Sequence, residues 1–363
     1  MSRKLLSLSV SVALLGGTAL AEAPSVAVDI TPVHSLVARV MEGVGKPDLI
    51  VPSGASPHSF SLRPSAAKAL QSADVVFWVG EDLTPQLEES IETLAKEASV
   101  VSLLDADGTT LLDFREGALF EAHDHDHDDQ GDQEHAEHND HDEHEHIEAK
   151  DEDHAHDDHG HEDHAEHDDH DHKEAKGEEH DHDDHAGHDD HDHGEHDPHA
   201  WLSPKNASVW LNVIAAQLSA ADPDNAGAYF ANAAEGRAEM EALSKEVNAI
   251  LDPVRGGSFI VFHDAYQYFE TDFNLPASGA ISIGDATDPS PARIAEIQER
   301  IRDEGVVCVL AEPQFNPGIV ATVLDGTEAN TGVIDPLGAS LELGPDLYPQ
   351  MIRNMANTLA ECL

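Results

Sequence analysis

Residues 224–250 read DNAGAYFANAAEGRAEMEALSKEVNAI. Apolar side chains recur there mostly in steps of three or four, which is the spacing of an amphipathic helix. The pattern predicts one helix of about 27 residues, about 40 Å long. No other segment of the sequence predicts so long an element, and Gly256-Gly257 ends the pattern. We expect a rigid spacer between two halves of the chain; an ordinary helix packed within one half is the alternative.

On both sides of this helix, short apolar runs alternate with amphipathic stretches, which is typical of α/β units with mainly parallel strands. The predicted strands are 26–30, 49–51, 75–79, 100–103, 259–262, 306–310 and 333–335. The predicted helices besides the long one are 35–41, 65–71, 86–97, 291–303 and 346–359. A chain of 363 residues is long for a single core, so we expect two α/β lobes, each a mainly parallel sheet flanked by helices. The predicted boundaries are 22–222 for the N-terminal lobe, 223–252 for the linking helix and 253–363 for the C-terminal lobe.

The charge of the chain is strongly negative and unevenly spread. Lys and Arg number 19 against 73 Asp and Glu, which gives a net charge of −54. This argues against a nucleic-acid partner and against docking on anionic lipid. Residues 121–197 hold much of the acidity and 23 of the 27 histidines, whereas the rest of the chain resembles an ordinary acidic globular protein.

Residues 121–197 contain almost no apolar side chains, so we expect them to form a disordered insert in the N-terminal lobe. A solvated acidic linker is the simplest interpretation, but it gives no reason for so many imidazoles. Histidines interleaved with carboxylates offer many weak sites for divalent cations. We therefore predict an auxiliary metal-binding segment.

The first residues have the composition of a secretory signal. Two basic residues precede an apolar run from Leu5 to Leu15, and residues 19–21 read ALA, a small-x-small cleavage site. The run is too short to span a bilayer. We expect residues 1–21 to be a signal peptide cleaved after Ala21, and the mature protein to be periplasmic.

The chain has two cysteines, Cys308 and Cys362. In an oxidising compartment an even number favours a disulfide, which would tie the C-terminal helix to a core strand. Two buried free thiols are the alternative.

Three histidines outside the insert lie where ligands of α/β proteins bind. His58 follows the second predicted strand, His199 precedes a helix start, and His263 ends a strand. Asp335 also ends a predicted strand. Because open α/β sheets bind ligands beyond the carboxyl ends of their strands, these four residues are candidates for one tetrahedral site.

Three imidazoles and one carboxylate suit zinc, whereas a manganese site would be richer in oxygen ligands. A single histidine in such a position is more often structural than a metal ligand. The predicted site therefore depends on whether the four candidate residues lie close together in the fold. His34, at the beginning of a predicted helix, is expected to be a capping or surface residue.

Five motifs resemble those of the periplasmic zinc-binding proteins of bacterial ABC importers, the ZnuA type. They are GASPHSFSLRPS at 54–65, DPHAWLSP at 197–204, FHDAYQYFE at 262–270, AEPQF at 311–315 and DPLG at 335–338. The motifs extend over nearly all of the predicted mature chain. The Cys308/Cys362 pair also matches the family's disulfide, and the His-rich insert falls where the family has a charged, metal-binding loop.

The resemblance implies two α/β lobes joined by a backbone helix, with zinc bound between them. His58, His199 and His263 fall on the family's three zinc-binding histidines. Asp335 falls on the carboxylate that closes the site in related binders. Some members use water instead, or a Glu beside the first histidine, a position that Pro57 occupies here.

The implied function is capture of Zn(II) and its delivery to an ABC-type zinc permease in the inner membrane, by a monomer with neither catalytic activity nor an organic cofactor. Two other functions remain open at this point. In a periplasmic metal buffer the insert would be the functional part and the lobes a scaffold. A zinc hydrolase would use the three histidines with water in an open fourth position, although no nucleophile elbow or P-loop accompanies them.

Overall fold

The computed structural model describes residues 23–115, 120, 196–282 and 289–363. The predicted signal segment with its cleavage site lies outside these residues, as does nearly all of the predicted His-rich insert. The described residues belong to one compact unit.

Four strands form a parallel sheet in the N-terminal half, in the order β2-β1-β3-β4. They are β1 (Val26–Val28), β2 (Asp48–Leu49), β3 (Val75–Trp78) and β4 (Ser99–Ser102). The helices that follow the first three strands are α1 (Thr31–Val40), α2 (Pro64–Ser72) and α3 (Pro85–Leu94). All three begin with a proline in the first two positions, where its missing N–H costs no helical hydrogen bond.

The C-terminal half repeats this arrangement, with a parallel sheet in the order β6-β5-β7-β8. Its strands are β5 (Phe259–His263), β6 (Ala280–Ser282), β7 (Cys308–Ala311) and β8 (Asn330–Val333). Two helices, α4 (Pro204–Ala221) and α5 (Ala226–Leu251), connect the halves. The remaining helices are α6 (Gln267–Phe273), α7 (Pro291–Glu304), α8 (Pro317–Leu324) and α9 (Leu347–Cys362). The predicted class, two parallel-sheet lobes flanked by helices, is confirmed; the boundaries at 222 and 252 stay a prediction.

Helix α5 is the long helix predicted from residues 224–250. Its buried face includes Tyr229, Ala233, Gly236, Met240 and Leu243. These residues follow one another at intervals of three or four, as predicted. It packs against α1 and α4 of the N-terminal half and against the C-terminal helix α9. Helix α5 therefore contributes to the packing of both halves, and the alternative of a helix confined to one half is wrong.

The close approach of α5 to its neighbours depends on Gly236. A Cβ atom there would lie 3.0 Å from a methyl carbon of Leu211 in α4 and 3.3 Å from Cγ of Arg39 in α1. A glycine in the middle of a helix lowers its intrinsic stability by about 1 kcal/mol relative to alanine. Here it allows α1, α4 and α5 to pack closely against one another.

The disulfide between Cys308 and Cys362 is present and links β7 to the last turn of α9. The predicted disulfide is confirmed, and the alternative of two buried free thiols is wrong. Helix α9 also contacts α1, α5 and β8, so the bond anchors an element that spans both halves.

The eighth strand differs from its prediction. It covers Asn330–Val333 instead of 333–335, lies at the edge of its sheet, and leaves Val333 62% exposed. Edge strands show only a weak apolar pattern, so the sequence predicts a strand around the buried Ile334 instead.

In the described part of the chain, no helix combines the length and apolar content needed to cross a membrane.

Candidate metal centre

His58 lies in the loop between β2 and α2, on the N-terminal side of the cleft. Its backbone N–H donates to Oγ of Ser56 at 3.3 Å. The side-chain amide of Gln86 in α3 donates to the carbonyl of Pro57 at 2.8 Å. Two hydrogen bonds thus hold the loop at His58 and at the residue before it, and the imidazole is half-buried.

His199 is fixed by the acidic residue two positions before it. Oδ1 of Asp197 accepts the backbone N–H of His199 at 2.9 Å and lies 2.7 Å from ring Nδ1. Because a carboxylate only accepts, Nδ1 carries the proton and Nε2 is left as the metal-binding nitrogen. Both residues are buried, so the carboxylate orients the ring with little competition from water.

His263 is also held by a carboxylate, which here follows a neighbouring strand. It is the last residue of β5, and Glu312 directly follows β7, the adjacent parallel strand. Ring Nδ1 of His263 lies 2.6 Å from Oε1 of Glu312, and both side chains are buried. The carboxyl ends of parallel strands lie at one sheet edge, which is where α/β folds bind ligands.

The three imidazoles meet between the two halves. One ligand nitrogen from each of His58, His199 and His263 lies within 4.8 Å of the other two. The Nε2 atoms of His58 and His199 are 3.2 Å apart. Nitrogens bound tetrahedrally to one zinc at about 2.0–2.1 Å would be about 3.3 Å apart. The arrangement can therefore hold a zinc-sized cation, and it is the only such group among the described residues.

Aromatic rings line the same cleft. His199 lies 5.2 Å from the ring of Trp201, and His263 lies 5.3 Å from the ring of Phe315, measured between centroids. Apolar surroundings lower the local dielectric constant and so strengthen the interaction between a cation and its ligands.

Asp335 is held by its own loop. Its Oδ1 accepts the backbone N–H of Leu337 at 3.1 Å, and its Oδ2 accepts that of Ala339 at 2.7 Å. The amide of Gln314 also donates to Oδ1, at 3.4 Å. Within the described residues Asp335 is not a member of the histidine group. Its predicted role as fourth ligand stays a prediction.

Sequence reasoning missed the two carboxylates that orient the histidines. The spacing Asp197-Pro198-His199 was a usable signal, since an Asp two residues before a histidine can accept both its backbone and its ring N–H. Glu312 gave a weaker signal, because only the strand order β5-β7 places it beside His263.

His34 is not a capping or surface residue, which corrects the prediction for it. It lies inside α1, is 7% exposed, and its Nε2 lies 3.1 Å from the carbonyl oxygen of Pro47. Burial lowers the pKa of this histidine, so it serves the core as a neutral side chain.

Described residues at the margins of the predicted insert make contacts close to the histidine group. Asp113 and His196 form an antiparallel bridge, and the hydroxyl of Tyr268 in α6 donates to the carbonyl of Asp197 at 2.8 Å. Asp113, before the predicted insert, and His196, near its end, are therefore paired close to His199 in the sequence.

A buried ion-pair cluster connects this region to the C-terminal half. Arg115 forms ion pairs with Asp264, which follows His263, and with Glu270 in α6, where the distance is 2.8 Å. Burial raises the pKa of both carboxyls, and Arg115 opposes that shift. The guanidinium therefore stabilises the ionised form of two buried carboxyl groups.

Residues 26–362 match the family model described as the periplasmic component A of the zinc-uptake complex, ZnuA. The high-affinity zinc uptake system protein ZnuA of Brucella abortus (strain 2308) is 47% identical over 348 residues, which cover 96% of this chain and 94% of that protein.

Solved structures show the same fold. A crystal structure of ZnuA superimposes with a TM-score of 0.65 at 20% identity, covering 94% of this chain and 99% of the other. A ZnuA deletion mutant with zinc bound gives a TM-score of 0.64, also at 20% identity, and covers 94% and 98%.

Proposed function

The chain belongs to the ZnuA family of periplasmic zinc-uptake components, and on that premise we propose that it captures Zn(II) with His58, His199 and His263 in the cleft between its lobes. It then delivers the ion to an ABC-type permease in the inner membrane. The zinc ion is the cargo, and no organic cofactor takes part.

The convergence of one ligand nitrogen from each of the three histidines carries this proposal. His199 and His263 have Nε2 available for a metal because Asp197 and Glu312 occupy their Nδ1 atoms. Neutral imidazoles with carboxylate partners are strong zinc ligands, because the partner fixes the tautomer and raises the basicity of the ring. Three such ligands suit zinc better than oxygen-preferring cations.

In this proposal the protein has no catalytic activity of its own. A zinc hydrolase needs a water activated by zinc and a general base that faces it. Asp197 and Glu312 are hydrogen-bonded to the outer nitrogens of the imidazoles, on the side away from the metal position. This supports a transport role over a hydrolytic one.

Asp335 belongs to the proposal as the predicted fourth ligand, with water as the alternative. A carboxylate offers about four lone-pair sites, and three hydrogen bonds to Asp335 leave one.

The other parts of the proposal follow from the sequence. The signal peptide is cleaved after Ala21, the mature chain is a periplasmic monomer without a nucleic-acid partner, and residues 121–197 act as an auxiliary metal-binding segment. The lobes cover 22–222 and 253–363, with 223–252 as the linking helix.

A competition titration against a strong chelator tests the proposal, on a chain that lacks residues 123–190. This deletion lies within the predicted insert and keeps Asp113, Arg115 and His196, which make contacts in the described fold. We expect one tightly bound zinc per chain. Loss of tight binding would mean that the insert supplies the ligands, as the metal-buffer alternative requires.

A further inference from the structure

Gln314 is a polar residue of the cleft, and it has no role in the proposed function as stated above. It lines the same cleft as the three histidines, in the segment that also contains Glu312 and Phe315. Its Nε2 donates to Oδ1 of Asp335 at 3.4 Å. Its Oε1 is buried and has no hydrogen-bond partner among the described residues.

Asp335 determines which way the amide of Gln314 points. A carboxylate can only accept hydrogen bonds, so the NH₂ group of Gln314 must face it and the carbonyl oxygen must point away. The backbone amides of Leu337 and Ala339 hold the carboxylate itself in place. The orientation of the Gln314 oxygen is thus fixed by the protein.

A buried carbonyl oxygen without a partner is costly, and in a native protein it calls for an explanation. The group that enters this cleft must therefore bring a donor. A zinc ion has none, but a water bound to zinc has two, and its O–H bonds are polarised by the cation.

Resting on the proposed function, we propose that Gln314 is a positioning residue whose Oε1 accepts a hydrogen bond from a water bound to zinc in the fourth position. Asp335 then acts through Gln314, because it orients the amide. The three histidines hold the ion directly, and the fourth ligand is exchangeable. An exchangeable ligand suits a protein that must release its cargo.

Two substitutions of Gln314 in the full chain separate this role from a structural one. Gln314→Leu removes both the acceptor and the N–H that bonds Asp335. Gln314→Glu keeps an acceptor oxygen but also removes that N–H. We expect Gln314→Leu to weaken zinc binding about 10-fold, the effect usual for a residue that supports a metal ligand. Gln314→Glu keeps the acceptor but loses the N–H that orients it, so we expect it to weaken binding less than Gln314→Leu.

The measurement is chelator competition at the tightest site. The insert is the same in all variants, so differences report the cleft. Gln350→Leu, an exposed glutamine of α9 outside the cleft lining, is the matched control and should bind like the parent. If Gln314 only supported Asp335, both substitutions would weaken binding alike, and that result would overturn the proposal, as would unchanged affinity in Gln314→Leu.

An independent readout uses the parent chain with a substoichiometric amount of Co(II), whose visible spectrum reports its ligands. Thiocyanate should displace the fourth ligand and change the spectrum. An unchanged spectrum would mean a site closed by protein, and the proposal would fail even if the affinities agreed. Failure of the proposed function can be told apart from failure of the Gln314 proposal. In that case the parent chain would have no tight zinc site that depends on His199.

Discussion

Replacing His199 with alanine is expected to abolish tight zinc binding, with a loss of affinity well above about 100-fold. Substituting a residue that merely supports a metal ligand costs about 10–100-fold, and losing the ligand itself must cost more. The substitution also leaves Asp197, which is 1% exposed, without the ring that it bonds. Chelator competition on the chain without residues 123–190 measures the effect, because no insert site can then replace the cleft.

His34 provides the matched control for this prediction. It is also a buried histidine, and it lies outside the histidine group. We expect His34→Ala to lower stability while leaving zinc affinity unchanged. Tight binding that persists in the His199 variant would refute the assignment of the site, and equal losses in both variants would mean that the effect is one of folding.

The second large effect concerns the disulfide. Cys308 and Cys362 are 54 residues apart in sequence, and a closed loop of that length contributes about 4 kcal/mol to the free energy of unfolding in the chain-entropy model. Replacing both cysteines with serine should lower the melting temperature by about 10 °C. Both positions are buried, so the serine hydroxyls bring a further penalty.

Chemical denaturation of the double variant, compared with the parent, gives the change in free energy directly. A thiol titration of the denatured parent without reductant is the control and should find no free thiol. Two titratable thiols, or a change in free energy near zero, would contradict the role given to this bond.

The long helix and the two sheets could be predicted because their cause is local. Helix α5 repeats apolar side chains every three or four residues along one face, and the central strands are short apolar runs between turns. Where the local signal was weak, the prediction failed. Strands β6 and β8 and helices α6 and α8 were missed or displaced; β8 leaves most of its residues exposed at a sheet edge.

The metal centre could be predicted only in part. The positions of His58 and His263 after strands indicated a binding edge, but their convergence with His199 depends on how the two halves pack, and the resemblance to a known family supplied it. The contact of Glu312 with His263 depends on the strand order β5-β7. Two of the three hydrogen bonds to Asp335 come from backbone amides of its own loop, and a sequence does not display these.

The most direct test of the account is an anomalous difference map, recorded at the zinc absorption edge from crystals of the zinc-loaded protein. The account predicts one dominant peak in the cleft, about 2.0–2.1 Å from Nε2 of His58, His199 and His263. A dominant peak elsewhere, or one that does not contact all three imidazoles, would contradict the claim that this cleft captures the cargo.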